Sequence, residues 1–560
     1  MCTSLRPHRL WTFGLLLALG SCGGGGGGDD GAGTAPPPPT GPPLVLASGP
    51  SPVAAGCTGG SASGIFYADA EVEPWVAVDP TDSRRLLAAF QQDRWSNGAA
   101  RALVSAVSSD GGATWERTLQ PMSRCGGAPP GSVGDFERST DPWVDVSPDG
   151  TMHLMGLALS GTALADGSAS AMLASRSTDG GRSWSAPAEL VRDGGAFFHD
   201  KNTLTADPLD SRFVYAIWDR LDRAGRGPTL LARSVDGGQT WGPARVVYTP
   251  VASDGAGVSQ TIGNRIVVLT GGPERGLLVN VFTQIDTSRS GQTSSRLGIL
   301  RSADRGSTWS APVFVADMQT VGTRDGVTGT RVRDGGIIPS IAAGPDATLW
   351  VAWQDARFNA GAHDAIAVSR SSDGGLTWSA PVAVNRVPAA AAFTPVLHVR
   401  ADGLVGLLHY DLRDNTDDRA TLPASAWLLT SRDGSNWAER PVAGPFDLML
   451  APNAGGQFLG DYHGLVGQGD GFLAVLGVAG TSVTNRSDIA AQQVAVPSAA
   501  ATATGGAAHL ARPSAAVLLA AGERRRLQAT QHDAIAAAME RRLPGWQARV
   551  GARPPGDGLR

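Results

Sequence analysis

Ser108-Ser109-Asp110-Gly111-Gly112-Ala113-Thr114-Trp115 is the stretch that decides the fold, because it returns along the chain. It recurs as Ser177-Thr178-Asp179-Gly180-Gly181-Arg182-Ser183-Trp184, then at Ser234/Asp236/Gly238/Trp241, Ser302/Asp304/Gly306/Trp309 and Ser371/Asp373/Gly375/Trp378. A sixth copy, Ser431-Arg432-Asp433-Gly434-Ser435-Asn436-Trp437, is one residue shorter. Each motif is self-contained structural chemistry. Asp and Ser oxygens accept backbone N–H bonds inside a tight turn. Glycine supplies the positive φ of a hairpin. Tryptophan folds back over the turn and buries a large apolar area. The aspartates are therefore read as turn staples and not as acids or calcium ligands.

Between the copies lies a second repeat, strand–turn–strand. Pro74-Trp75-Val76-Ala77-Val78-Asp79-Pro80 followed by Leu86-Leu87-Ala88-Ala89-Phe90 is the first example, and others begin at Pro142, Thr203, Arg265, Pro339, Pro395 and Leu459. Internal repetition at this spacing marks a repeat architecture, which lets 560 residues fold without one oversized core. Gly 74, Pro 37 and only 17% charged residues fit many turns and short strands better than long helices.

The recurring S-x-D-x-G-x-x-W motif resembles the Asp-box of sialidases and related β-propellers, over roughly residues 65–497. The resemblance implies an all-β propeller of four-stranded blades, with the Asp-box joining a blade's third and fourth strands at the periphery. Sialidases have six blades, whereas seven inner strand pairs are counted here, so six or seven blades are expected and the count favours seven. The seventh pair spans about Leu459 to Val478. Ile489–Val496 would be its third strand and Leu44–Ala47 its fourth, which would join the two chain ends and leave no open sheet edge.

Propeller ligand sites lie near the axis, at the ends of the inner strands. One set of polar residues opens the first strands: Glu71 and Glu73, Arg138 and Asp141, Asp200 and Lys201 (the sole lysine), Arg333 and Asp334, Asp461 and Tyr462. The other follows the second strands: Asp93-Arg94, Asp219-Arg220, Asp355-Ala356-Arg357 and Asp411-Leu412-Arg413. Such Asp/Arg pairs either bridge neighbouring blades or bind an anionic, polyhydroxylated ligand. Trp75, Trp95, Trp143, Trp218 and Trp353 lie near these ends, as packing or as faces for sugar rings.

By the sialidase resemblance, Arg94, Arg220, Arg357 and Arg413 would form an arginine cluster for a substrate carboxylate, with Asp141, Lys201 and Asp461 beside it. Tyr462 would be the nucleophile (Tyr410 being the other candidate), Glu73 its partner and Asp93 the acid/base. The Arg-Ile-Pro signature of sialidases is missing; Ile337-Ile338-Pro339 lacks the arginine. The expected function is a sialidase-like exo-glycoside hydrolase acting on terminal acidic sugars of glycoconjugates. The alternative is a non-catalytic propeller that binds glycans or proteins on the bacterial surface. No cofactor is expected. Scattered histidines exclude a zinc signature, no phosphate loop is present, and the absence of a basic stripe outside the C-terminal tail argues against nucleic acid.

The chain start reads as targeting. Arg6, His8 and Arg9 precede an apolar run, Leu10–Gly20, too short to span a bilayer. Leu19-Gly20-Ser21-Cys22 resembles a lipobox, which implies a signal peptide over 1–21, lipidation of Cys22 and attachment to the cell envelope, with the protein a monomer. Residues 22–43, rich in Gly and Pro, read as a disordered tether. The propeller would occupy 44–497. Cys57 and Cys125 remain as one disulfide or two free thiols, and export favours the disulfide. Residues 498–560 form an Ala/Arg-rich tail with a predicted helix near 514–543.

Overall fold

The computed structural model describes residues 44–60, 63–255, 257–496 and 521–542. Almost everything described is antiparallel β-structure. The first sheet pairs Glu71–Val78, Leu86–Arg94, Ala100–Ser108 and Glu116–Gln120 in chain order. The same order repeats in sheets opened by Arg138–Val146, Phe197–Ala206, Val258–Val268, Ser340–Ala343 and Ala392–Val399. The first two are tied by a lone bridge, Ala100 to Ser139.

The last sheet is built from both chain ends. Gly464–Gln468, Gly471–Ala479 and Ser487–Ala495 are joined by Val45–Leu46, with Val45 opposite Ala491 and Leu46 opposite Ala490. First strands pack side by side in chain order, and Gly464–Gln468 returns to pack on Glu71–Val78, so the ring closes. A channel of about 350 Å³ runs between them, lined by residues of all these first strands. The arrangement is consistent with a β-propeller.

The six Ser-x-Asp turns fold alike, each between the third and fourth strands of its sheet. In the first, Gly112 N donates to Ser108 Oγ (2.8 Å), Thr114 N and Oγ1 donate to the Asp110 carboxylate (2.9 and 2.6 Å), and Trp115 Nε1 donates to Gly112 O (3.1 Å). These donors pull the Asp110 carboxyl down to about 2. In the shorter sixth copy Asn436 Nδ2 replaces the hydroxyl on Asp433 at 2.7 Å, and Trp437 is buried against the edge of Trp350. Every carboxylate is held by its own turn, away from the ring's interior.

Inner strands are buried along nearly their whole length because each sheet packs between neighbours, whereas fourth strands such as Arg245–Tyr248 face solvent. Cys57 and Cys125 form a disulfide, tying the segment before the first sheet to the loop after it. A single α-helix is described, α1 (Ala521–Arg542), in the stretch where 514–543 is expected. Cys22 and the expected signal and tether, 1–43, lie outside the described residues, as do 514–520 and 543.

Candidate functional site

The site starts from a backbone irregularity repeated around the ring. Five first strands break register at the same place, between Val72 and Trp75, Thr140 and Trp143, Asp200 and Thr203, Ile262 and Arg265, and Phe393 and Val396. In each, the residue after the break is left-handed: Glu73 (φ 55°), Asp141 (51°), Lys201 (46°), Gly263 (68°) and Thr394 (50°). Only glycine adopts this conformation freely; for other residues it costs on the order of 1–3 kcal/mol and persists where the surroundings impose it. Three of these strained residues carry ionisable side chains, and those side chains meet.

Lys201 Nζ lies 3.0 Å from Glu73 Oε1, 3.4 Å from Asp141 Oδ1 and 2.8 Å from Asp461 Oδ2. Asp461 also takes a forked pair from Arg333, Nε to Oδ1 at 3.1 Å and Nη2 to Oδ2 at 2.6 Å. Two glycines let the segments carrying Arg333 and Asp461 come together. Gly335 (φ 61°) lies against the backbone of Asp461, and a Cβ on Gly460 (φ 140°) would fall 2.9 Å from Glu73 N. Gln91 links the next layer, its amide donating to Glu73 and to Thr140 Oγ1 (2.8 Å) while its carbonyl accepts from Arg94.

Electrostatics divide the carboxyls. Burial raises the Glu73 carboxyl to about 8 against the pull of Lys201, with Asp141 and Asp461 adding to the rise. Burial also opposes ionisation of Asp461, but Arg333 and Lys201 outweigh it and hold that carboxyl well below its ordinary value. Asp141 is likewise lowered, with Lys201 overcoming burial. At neutral pH Glu73 therefore keeps its proton while Asp141 and Asp461 are charged. Lys201 and Arg333 pair with those two charges, and Arg94 stands beside Arg333.

A cavity of about 460 Å³ opens on this cluster, with Arg94, Asp141, Lys201, Arg333 and Asp461 in its lining. Arg94 and Arg333 both stack on Phe458, at 5.0 and 4.3 Å from the ring centroid. Arg94 is 2% exposed, and its Nε has no hydrogen-bond partner among the described residues. Burial and the nearby Arg333 lower its guanidinium to about 10. A buried donor without an acceptor is costly.

The structure brings together Glu73, Arg94, Asp141, Lys201, Asp461 and Tyr462, and keeps the other expected site residues apart. Arg220 pairs with Asp193 (2.8 Å) and stacks on Phe197. Arg357 forks onto Asp355 (2.8 and 2.7 Å). Arg413 bonds Asp411 and Glu439 (2.7 Å each) over Trp427. Arg357 and Arg413 are satisfied within their own sheets and Arg220 by Asp193 of the preceding sheet, and none of the three lines the cavity, so of the four expected arginines only Arg94 does, joined there by Arg138, Arg324, Arg331 and Arg333. Asp93 is also misplaced as an acid/base. It is left-handed (φ 65°), fully buried, and held by Arg101 and by Ser51 Oγ (2.7 Å). Glu73 lies behind Lys201 and is 1% exposed.

Tyr462 stands beside the cluster with the ammonium of Lys201 5.5 Å from its ring, but its hydroxyl donates to Pro142 O at 3.3 Å. Burial and the surrounding carboxylates hold its phenol well above the ordinary value. It lines a separate small space beside the cluster, with Lys201 and Asp461, where Trp75 and Trp143 stack at 3.7 Å and Arg265 covers Trp75 at 4.5 Å. Tyr410, the other tyrosine considered, is buried with its hydroxyl on Gly477 O at 2.8 Å. Gln91, Phe458 and the pairing role of Arg333 were missed by sequence reasoning. The repeated Glu73-Pro74-Trp75 and Asp141-Pro142-Trp143 spacing was the available signal for the strained positions.

No family model matches the sequence, and no curated protein matches it. Among solved structures the chain is similar to an ulvan lyase of polysaccharide lyase family PL25, at 12% identity over 76% of this chain and 94% of that one, TM-score 0.46. It is similar to a Hadza microbial sialidase at 16% identity, covering 72% and 75%, TM-score 0.39. It is also similar to the leech intramolecular trans-sialidase complexed with 2,7-anhydro-Neu5Ac, at 14% identity, covering 78% and 70%, TM-score 0.39. Similarity at this level assigns neither family nor activity to the chain.

Proposed function

We propose that the chain is a seven-bladed propeller of the cell envelope whose cavity receives the terminal acidic sugar of a glycoconjugate. The observation that carries this reading is the pair Arg94 and Arg333: two guanidinium groups of the cavity lining stacked on one phenyl ring, that of Phe458. Guanidinium pairs match the planar fork of a carboxylate. The mixed polar and apolar lining suits a sugar. Export is supported by the Cys57–Cys125 disulfide, since such bonds persist in oxidising compartments. Lipidation at Cys22 would provide the anchor.

Exo-glycoside hydrolysis is the catalytic form of the same reading. It is favoured by one specific observation: two carboxyl groups, Asp141 and Asp461, line the cavity, and glycoside hydrolysis ordinarily uses such a pair. The sialidase arrangement of nucleophile and acid is not assembled at the cavity, because Tyr462 and Asp93 face elsewhere. Recognition therefore stands ahead of turnover.

Calorimetric titration with oligosaccharides ending in N-acetylneuraminic or glucuronic acid, followed by assay of released sugar, separates the two. Binding without release supports recognition alone. Binding with release supports the hydrolase. No binding of either oligosaccharide overturns both.

A further inference from the structure

Helix α1 (Ala521–Arg542) is docked where the cavity opens. Ile535 and Met539 are fully buried among Leu164, Ile262, Ile285 and Ile337, which come from four different segments around the ring. About two turns earlier in the helix, Leu527 fills a second contact with Val321 and Ala356. His532 fixes the helix between them, its Nδ1 2.9 Å from Thr293 Oγ1 and 3.1 Å from Thr293 N. On the side facing the ligand space, Ala534, Ala537 and Ala538 contribute to the cavity lining itself.

We infer that α1 is a wall of the acidic-sugar cavity, which limits it to the end of a glycan chain. The reasoning rests on the proposed recognition of an acidic sugar for the ligand's identity, but not for the wall. Three apolar anchors hold the helix, and the three alanines present only methyl groups to the space they bound. Small side chains there keep the cavity open while the helix closes its flank. With α1 in place a terminal acidic residue enters; with α1 released the flank opens and an internal stretch of a polymer fits as well.

The wall is tested in the full chain with Cys2 and Cys22 replaced by Ser and a single reporter, Ala163→Cys, at a half-buried lining position. Maleimide labelling of this thiol is expected to accelerate at least about tenfold when Ile535→Asp and Met539→Asp undock the helix, as local opening would produce. Ala538→Trp, which leaves both anchors in place, is expected to slow labelling and to weaken binding of an acid-terminated trisaccharide at least about tenfold by filling the space. The undocked chain is expected to bind an acidic polymer with blocked ends that the wild type does not. Unchanged labelling in both variants overturns the wall. Failure of the wild type to bind any acidic sugar overturns the ligand reading alone, because labelling still reports on the helix.

Discussion

Lys201 Nζ lies 2.8 Å from Asp461 Oδ2, so the only lysine of the chain joins the third sheet to the segment leading into the last. The same ammonium reaches Glu73 and Asp141. Lys201→Met is expected to leave three buried carboxyl groups without their shared cation. Removing one partner from a buried ion cluster costs about 3–5 kcal/mol, and urea unfolding would show it. A loss below about 1 kcal/mol, the range of surface pairs, would mean that the cluster does not hold the ring together.

Much of the ring was legible because its signals are local. The Ser-x-Asp turns fix their own hydrogen bonds, and Leu44–Ala47 as an expected closing strand corresponds to Val45–Leu46 beside Ser487–Ala495. The site was legible only in part. Asp with Arg one or two places on recurs after four second strands, yet Arg357 and Arg413 fold back on carboxylates of their own sheets and Arg220 reaches Asp193 of the preceding one, and sequence spacing does not reveal which will. Arg333 reaches the cavity from Val332–Arg333, a two-residue strand before the fifth sheet that pairs in parallel with Gln457–Phe458 and is too short to show a strand period in sequence. The left-handed positions of Glu73, Asp141 and Lys201 depend on a register break that appears only once strands are paired.

Stability should fall as pH rises through the neutral range. Folded Glu73 holds its proton to about 8, against 4.5 for an ordinary glutamate. Folding thus retains a proton between those values, so this contribution is complete below about 4.5 and is lost as pH climbs to about 8, by roughly 1 kcal/mol per unit. Buried Asp364 and Asp145, raised to about 7 and about 6, act with the same sign over lower windows. Glu73→Gln is expected to flatten the dependence relative to wild type when denaturation midpoints are compared at pH 5 and pH 9. An identical pH dependence in the two proteins would contradict the protonated Glu73.

Trp437 in the short sixth turn is 1% exposed. Trp437→Ala is expected to cost about 3–5 kcal/mol by emptying a packed site, with sugar binding unaltered in the folded fraction. Chemical denaturation and calorimetry read the two effects separately. A change in affinity without a change in stability would place these turns in the site and not in the scaffold.

The Cys57–Cys125 bond spans 68 residues of sequence. Chain-entropy arguments put the stabilisation from such a crosslink at about 4 kcal/mol. Replacing both cysteines by Ser is expected to lower the urea midpoint while leaving the ring folded, because Val45–Leu46 still closes the last sheet. Unfolding of the double variant without denaturant would show that the strand closure is insufficient alone.

The central claim is that Arg94 receives the carboxylate of an acidic sugar. The most direct measurement is the dissociation constant of an acid-terminated oligosaccharide for wild type, Arg94→Met and Arg94→Lys, with melting temperatures confirming that each is folded. Loss of a charged hydrogen bond, about 1.5–3 kcal/mol, predicts affinity at least about tenfold weaker in Arg94→Met, partly restored in Arg94→Lys, and no wild-type binding of the neutral sugar alcohol counterpart. Equal affinity for wild type and Arg94→Met, or equal binding of acidic and neutral sugars, would contradict the account.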